Sequence, residues 1–171
     1  MRKTVTLGMA AIALTVAGCA RKQAAPEVVP PVEQAPPGEA VAPGDVELVE
    51  LPAAQADLVA KAGSDTVYFG TDKYDLDQAT QATLAAQARW LIANPNVRAS
   101  IEGHCDERGT REYNMALGER RANAARDFLA SQGVPATRLL VTSWGKERPV
   151  APGSNEEAWA QNRRAVTVLV R

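Results

Sequence analysis

The sequence has few of the side chains that build metal centres and nucleophilic active sites. Its 171 residues include one histidine and two cysteines. A closed tetrahedral zinc site needs four such ligands, so this set is too small to form one. His104 directly precedes Cys105, and neighbouring residues that leave a strand point to opposite faces of the sheet. The pair is poorly placed for a thiol–imidazole dyad, and we expect no metal, no cofactor and no cysteine nucleophile.

The chain also lacks an excess of positive charge. It carries 19 Lys and Arg residues against 20 Asp and Glu residues, for a formal net charge of -1. Without Arg2 and Lys3, which start a segment that we expect to be removed, the charge is -1 - 2 = -3. Proteins that bind nucleic acid concentrate basic residues in a patch or stripe. The composition therefore argues against nucleic acid as a partner.

Residues 1–18 have the pattern of a secretory signal peptide, with a basic start, an apolar run from 5 to 17 and small residues before Cys19. The apolar run is too short for a comfortable membrane span. Because it ends at a cysteine, it resembles a bacterial lipoprotein signal, which is cut before Cys19 and leaves that thiol diacylated. An ordinary signal peptide with an accidental cysteine is the alternative. Two or three acyl chains anchor firmly, and Ala20, in place of an aspartate, favours the outer membrane by the same resemblance.

Residues 19–57 are rich in proline, alanine, glutamate, glutamine and valine. Such a composition buries too little apolar surface to offset the entropy of ordering, and its prolines favour extended polyproline II geometry. We interpret this segment as a disordered, flexible tether that reaches on the order of 100 Å when extended, at roughly 3.1 Å per residue. Residues 58–171 then form a single domain, which is large enough for one core.

Hydrophobic periodicity in residues 58–171 predicts four strands and three helices in alternation. Short β-branched or alternating runs predict the strands, and apolar residues on one arc of a helical wheel predict the helices. The order β-α-β-α-β-α-β is typical of an α/β (α+β) domain with two layers, helices over one face of a four-stranded sheet. Strand order does not follow from periodicity. The predicted strands are 66–69, 97–102, 139–144 and 164–170, and the predicted helices are 76–94, 113–132 and 155–161.

One arginine falls on the apolar side of the helix predicted at 113–132. At 100° per residue, Arg121 lies about 240° from Met115, inside the apolar arc. A guanidinium stays protonated in proteins, and burying it unpaired costs several kcal/mol. Arg121 therefore needs an anion. An ion pair with Asp106 or Glu107 and recognition of an anionic ligand are both open.

An acidic loop precedes this helix. Asp106 opens the run Asp-Glu-Arg-Gly-Thr, in which Gly109 permits a backbone turn closed to other residues. An acid in the loop and a base in the helix would suit a zwitterion, whose carboxylate would meet Arg121 bidentately and whose ammonium would meet Asp106. A glycosidase is disfavoured, because Asp106 and Glu107 are neighbours in one turn and not carboxylates on opposite sides of a cleft.

Several segments in the right order and spacing together resemble the OmpA-like family of peptidoglycan-binding domains. The resemblance covers essentially all of residues 59–171. It implies helices packed on a mixed sheet, and non-covalent binding of the diaminopimelate-bearing stem peptide of Gram-negative peptidoglycan. The segments are the lipoprotein signal, the proline-rich tether, VYFGTDKYDL at 67–76, IEGHCDERGTREYNMALGERRANA at 101–124, SWGKERPVAPG at 143–153 and QNRRAV at 161–166.

The resemblance also implies roles for individual residues. By position, Asp106 would bind the ammonium and Arg121 the carboxylate of diaminopimelate, with Leu117 lining the pocket. Asp72 and Arg108 match further ligand-contacting positions of the family. A lysine-type stem peptide offers the ammonium but no carboxylate, so it would leave Arg121 unpaired. Sites that strand a polar group in this way reject the wrong ligand strongly.

The same resemblance implies a set of partners. These are peptidoglycan, the outer membrane through the acyl chains, and the periplasmic protein TolB, with TolA as a further candidate. The implied role is to tether the outer membrane to the cell wall and to support envelope integrity and constriction at division, without enzyme activity. Tyr74, Tyr113 and Trp144 are candidates for exposed contacts at a protein interface, with core packing as the alternative. Cys105 is expected to be a partly buried free thiol.

Overall fold

The computed structural model describes residues 50–171, where helices pack on an open sheet of four strands. All seven predicted elements are present, with ends that differ from the prediction by a few residues at most. An additional helix precedes them. In chain order the elements are α1 (Pro52–Ala62), β1 (Thr66–Tyr68), α2 (Gln78–Ala93), β2 (Arg98–His104), α3 (Arg111–Ser131), a 3₁₀ turn (Ala136–Arg138), β3 (Leu139–Gly145), α4 (Glu156–Asn162) and β4 (Arg164–Val170).

The sheet has the strand order β1-β4-β2-β3. β4 pairs with both β1 and β2 in antiparallel fashion, whereas β2 and β3 are parallel. The register aligns Thr66 with Val166 and Ile101 with Thr167. The predicted two-layer arrangement with a mixed sheet is therefore confirmed. The carboxyl end of β2 and the amino end of β4 lie side by side at one end of the sheet.

The core lies between α2, α3 and one face of the sheet. Each of the three later helices begins with a polar side chain that accepts a hydrogen bond from a backbone N–H of the first turn, which satisfies a group that the helix itself cannot. The buried core residues of these helices and the two central strands include Leu84, Leu91, Ala122, Ala125, Leu129, Ala99, Ile101 and Leu169, and the capping residues are Asp77, Thr110 and Asn155.

Two glycines allow α3 to lie directly on β2. A Cβ atom on Gly103 would overlap the backbone carbonyl of Gly118, and one on Gly118 would overlap the Ser143 hydroxyl. That hydroxyl donates to the Met115 carbonyl at 2.7 Å, which joins β3 to the same part of α3. Backbone atoms cannot yield as a flexible side chain can. The amino-terminal half of α3 is therefore held against the carboxyl end of β2.

The predicted boundary at residue 58 is wrong, because residues 52–57 belong to α1. Pro52 occupies the first turn of this helix, where a missing N–H costs nothing. Leu58 is fully buried, and the Trp90 indole donates to Asp57 at 2.8 Å, which ties α1 to α2. Proline before a helix and proline in a linker look alike in composition. The predicted signal peptide, Cys19 and residues 19–49 of the predicted tether lie outside the described residues.

Gln55 takes the place of a strand partner for β4. β1 covers only the first half of the free edge of β4, since its three residues pair with residues 164–166. Beyond them, the Gln55 side-chain amide donates to the Thr167 carbonyl at 2.8 Å and accepts from the Leu169 N–H at 2.9 Å. A carboxamide has the same donor and acceptor as a peptide group. Gln55 of α1 thus satisfies two groups that β1 leaves open, while the Thr167 N–H donates to the Asp65 carbonyl and the Leu169 carbonyl accepts from the Leu51 N–H.

A side chain also covers the start of the outer edge of β1. The Ser64 hydroxyl donates to the Thr66 carbonyl and accepts from the Thr66 N–H, each at 2.9 Å.

Among residues 50–171, no helix is both long and apolar enough to cross a bilayer.

We expect Gln55→Leu to destabilise the fold by about 2 to 3 kcal/mol, because it leaves a buried donor and a buried acceptor of β4 without partners. Urea unfolding of the full chain would measure this loss. Gln78→Leu, at an exposed position of the first turn of α2, is the matched control and should change the unfolding free energy little. Equal midpoints for the two variants would contradict the role given to Gln55.

Candidate functional site

A cavity of about 270 Å³ opens at the carboxyl end of β2. Its walls come from the loop after β1, the loop between β2 and α3, and the first three turns of α3. All five residues assigned to a site from the sequence line this one cavity, although they come from separate segments of the chain. The lining residues are Thr71, Asp72, Cys105, Asp106, Arg108, Gly109, Tyr113, Asn114, Leu117 and Arg121.

Arg121 is fully buried at the floor of the cavity. Its Nε donates to the Lys73 carbonyl at 2.8 Å, Nη1 to the His104 carbonyl at 2.9 Å and Nη2 to the Gly70 carbonyl at 3.0 Å. The alternative ion pair with Asp106 or Glu107 is not formed, since the partners within residues 50–171 are backbone oxygens. Burial lowers the pKa of Arg121, but a guanidinium remains protonated. The floor of the cavity thus carries a positive charge without a contacting carboxylate.

Asp106 is buried to all but 7% of its surface and is held by two arginines. Its Oδ2 accepts from Arg108 Nη2 at 2.6 Å and from Arg163 Nη1 at 3.5 Å, and Oδ1 accepts from Arg108 Nε at 3.1 Å. Burial alone would raise the pKa of Asp106, but the hydrogen bonds from both arginines outweigh it and hold the pKa below its usual value. Asp106 is therefore a fixed negative charge.

The loop that carries Asp106 is held by Lys146, which follows β3, and by Trp159 of α4. Lys146 Nζ donates to the carbonyls of Glu107 and Gly109 at 3.2 and 2.7 Å. Gly109 has a φ of 85°, in the left-handed region that favours glycine. The Trp159 indole donates to the Glu107 carboxylate at 3.1 Å, and the Arg108 guanidinium stacks 4.2 Å from the centre of the Trp159 ring. These contacts position the loop before any ligand is present.

Asp72, from the loop after β1, and Tyr113, from α3, form another part of the cavity wall. Asp72 has a φ of 55°, the one positive φ of a non-glycine residue in the described chain. The Tyr113 hydroxyl donates to its carboxylate at 3.3 Å. Leu117, one helical turn before Arg121, is 3% exposed and contributes an aliphatic side chain to the lining of the cavity. The lining therefore combines two carboxylates, two guanidinium groups and an aliphatic side chain.

Cys105 and His104 lie on different sides of the backbone. The Cys105 thiol donates to the Asn114 carbonyl of α3 at 3.4 Å, whereas His104 Nε2 lies 3.9 Å from Glu102 Oε2. Burial raises the pKa of Cys105 to about 11, and the charge of Arg121 offsets this only in part. Cys105 is a buried thiol, as expected. The geometry provides no dyad between the two side chains.

Sequence reasoning missed several residues that support the site. Arg163 is the most consequential, because it is buried and contacts Asp106. Strand alternation offered a signal for it, since position 163 has the same parity as the buried residues Ala165 and Leu169. Lys146 and Asn114 donate to backbone carbonyls, Trp159 stacks on Arg108, and Glu156 pairs with Arg163 from another element, and none of these contacts leaves a pattern in the sequence. The other missed residues are Trp159, Asn114 and Glu156.

The three candidate interface aromatics have different environments. Tyr74 and Tyr113 are 48% and 44% exposed. Trp144 is half-buried, with its indole N–H donating to Glu102 at 2.8 Å and Arg148 stacked 3.3 Å from its ring centre. The two tyrosines are therefore available for contacts, whereas Trp144 is largely engaged within the protein.

The sequence also matches a known protein family. Residues 68–163 match the model of the OmpA family. This match spans more than half of the chain, and the chain belongs to the OmpA family.

The relatives carry a more particular name. The chain is 48% identical over 158 residues to the peptidoglycan-associated lipoprotein of Agrobacterium fabrum, which covers 92% of this chain and 83% of that protein. The crystal structure of the peptidoglycan-associated lipoprotein from Burkholderia pseudomallei superposes with a TM-score of 0.61 at 45% identity, over 63% of this chain and 91% of that one. The carboxy-terminal domain of Helicobacter pylori MotB shares the fold at 21% identity, with a TM-score of 0.57 over 61% of this chain and 83% of that one.

We expect iodoacetamide to label native Cys105 at least roughly 100-fold more slowly than the unfolded chain near pH 8, because burial and the raised pKa remove the reactive thiolate. Mass spectrometry of the peptide that contains Cys105 would follow the reaction separately from Cys19. The same labelling in concentrated urea is the control. Equal rates in the two conditions would show that the thiol is open to solvent.

We expect His104 to make the fold sensitive to acid. Burial and the charges of Arg164 and Arg148 lower its pKa to about 4, so the folded state binds this proton less readily than the unfolded state. The contribution is present above the ordinary pKa of about 6.5 and is lost as the pH falls from there towards 4. Urea unfolding at about pH 7 and about pH 5 should show a larger loss for the wild type than for His104→Gln. Equal losses would refute this coupling.

Proposed function

We propose that the protein is an outer-membrane lipoprotein that binds peptidoglycan non-covalently through residues 50–171. Support comes from family membership, from relatives that carry the name peptidoglycan-associated lipoprotein, and from the lipoprotein-like signal that ends at Cys19. In this proposal the acyl chains on Cys19 hold the outer membrane. The folded domain holds the cell wall.

The proposed ligand is the diaminopimelate of the stem peptide. The observation that carries this choice is the lining of the cavity, where Asp106 and Asp72 share a volume of about 270 Å³ with Arg121 and Arg108. The side chain of diaminopimelate ends in an amino acid centre, so it presents an ammonium and a carboxylate close together. Fixed charges of both signs recognise such a zwitterion, whereas a cavity of one sign would repel one of its ends.

In the proposed complex, Asp106 accepts the ligand ammonium and Arg121 attracts the ligand carboxylate. Three of the five N–H groups of Arg121 donate to carbonyls, so one remains on each terminal nitrogen. Because Arg121 is fully buried, a carboxylate that accepts both must widen the floor of the cavity. Leu117 would pack against the methylene groups of the ligand, with Asp72 and Arg108 as further contacts at the mouth.

The expected strength of this binding is modest at each site. A hydrogen bond to a charged group contributes roughly 1.5 to 3 kcal/mol, and micromolar affinity requires about 8 kcal/mol. A few such bonds are enough for reversible attachment. Many anchored copies on one cell wall would then act together through multivalency.

We further propose that this chain acts within the Tol-Pal system, with TolB and TolA as partners, in envelope integrity and in outer-membrane constriction at division. Tyr113 both lines the cavity and is exposed, and Tyr74 is exposed in the loop that forms one wall. Exposed tyrosines are favourable anchors for a protein partner. A protein that covers Tyr113 would also cover the cavity, so we expect TolB and peptidoglycan to compete.

We expect the full chain, purified in detergent, to sediment with insoluble diaminopimelate-type peptidoglycan and to bind lysine-type peptidoglycan at least roughly tenfold more weakly, because the latter lacks the carboxylate for Arg121. Asp106→Asn should reduce binding by roughly 10- to 100-fold. Glu119→Gln, which neutralises an exposed acid of α3 that does not line the cavity, is the matched control. Circular dichroism would confirm that each variant is folded.

Equal sedimentation of wild type and folded Asp106→Asn would place the binding site elsewhere. Equal binding of the two peptidoglycan types would exclude recognition of the carboxylate. Soluble fragments released during the incubation would identify a hydrolase instead of a binding protein.

A further inference from the structure

The two arginines that hold Asp106 differ in their freedom to move. The Arg108 side chain is 39% exposed, and its guanidinium also stacks on Trp159. The Arg163 side chain is 8% exposed. Of the two partners of Asp106, Arg108 is the one that can leave.

Arg163 is fixed by contacts that have nothing to do with Asp106. Its Nε donates to the Phe69 carbonyl at 3.1 Å, and its Nη2 donates to the Glu156 carboxylate at 2.7 Å. Its backbone carbonyl accepts from the Phe69 N–H at 2.9 Å. Arg163 also lies at the junction of α4 and β4, so the chain on both sides of it has a fixed course.

A ligand ammonium has to compete with Arg108 for Asp106. Arg108 engages both carboxylate oxygens, at 3.1 Å and 2.6 Å. Arg108 is partly exposed and already rests on the Trp159 ring, so its guanidinium can withdraw while its backbone N–H still donates to Asp106 Oδ1 at 3.1 Å. Arg163 would then be the remaining cation beside Asp106, 3.5 Å from Oδ2.

We propose that Arg163, held by Glu156, is a positioning residue for ligand binding, which keeps the Asp106 carboxylate ionised and directed into the cavity when a ligand ammonium displaces Arg108. This inference rests on the proposed function. It extends the site from the cavity wall to α4, where Glu156 is 61% exposed at its side chain and does not line the cavity.

The two residues act on Asp106 with opposite signs. The positive charge of Arg163 favours the carboxylate form of Asp106, and the negative charge of Glu156 partly cancels that effect. Asp106 binds an ammonium only in its ionised form, so binding is present above the pKa of Asp106 and is lost as the pH falls through it. The other groups that face Asp106 stay in place in every variant below, and they are Arg108, Arg121, Cys105 and Glu107, with Asp72 beyond Arg108.

The test is the pH at which binding of the full chain to diaminopimelate-type peptidoglycan falls to half. Arg163→Gln should move this midpoint up by roughly one pH unit. Glu156→Gln keeps an oxygen acceptor that holds Arg163 in place but loses the negative charge, so it should move the midpoint down by a few tenths. Arg163→Lys keeps the charge and should restore most of the wild-type profile. Glu157→Gln, which neutralises the adjacent exposed acid in the first turn of α4, is the matched control and should leave the midpoint unchanged.

A purely structural role for Arg163 would lower the amount of folded protein without moving the midpoint. If Arg163→Gln does not fold, Glu156→Gln against Glu157→Gln still decides the question. Coincident midpoints for those two variants, or an upward shift for Glu156→Gln, would overturn the inference while wild-type binding stands. Absence of wild-type binding at any pH would instead overturn the proposed function, and the positioning role with it.

Discussion

The guanidinium of Arg121 is the contact on which the architecture of the cavity depends. It lies on α3 and donates to carbonyls from two other segments, the loop after β1 and the end of β2. Those carbonyls are backbone groups at positions where regular structure ends, and buried backbone acceptors must find donors. One planar side chain satisfies three of them at once. Arg121 therefore links the loop, the strand and the helix that form the cavity to one another.

The same solution recurs elsewhere in the described chain. Arg138 donates to the carbonyls of Leu91, Asn94 and Val97 where α2 ends and β2 begins. Arg163 donates to the Phe69 carbonyl at the end of β1. Arginine suits this role because its donors form a rigid fork and its charge persists at any physiological pH. At Arg121 the acceptors are neutral, so the positive charge is left to act on whatever enters the cavity.

Hydrophobic periodicity predicted the features that depend on which face of a helix or strand is buried. It placed Arg121 on the buried side of α3 and gave all four strands of the sheet. It could not predict α1, because Pro52 follows a segment rich in proline and resembles it in composition. It also could not give the partners of Arg121, since a backbone carbonyl has no signature in the sequence. Strand order follows from the non-local pairing of β4 with β1 and β2, and neither periodicity nor the resemblance to a family predicted it.

Only some residues of the candidate site could be predicted from the residue pattern itself. Asp106 and Arg121 stood out because charges near an apolar helix face require an explanation, whereas Leu117, Asp72 and Arg108 came from resemblance alone. The structure brings all five to one cavity. The network behind them depends on side chains at positions 146, 156, 159 and 163, which approach the loop from β3 and α4. Such convergence depends on tertiary structure, and no spacing along the chain reveals it.

The Ser64 hydroxyl has a consequence for many copies of this domain on one surface. An edge strand with free N–H and C=O groups is a template on which another chain can add a strand. Ser64 occupies both groups of Thr66, and Gln55, Asp65 and Leu51 together occupy the groups of Thr167 and Leu169 on β4. On this side of the sheet little ladder then remains for a neighbour to extend, whereas β3, on the other side, is an edge strand of seven residues. Crowded domains that meet on the β1 side therefore pack against one another without joining into a continuous sheet there.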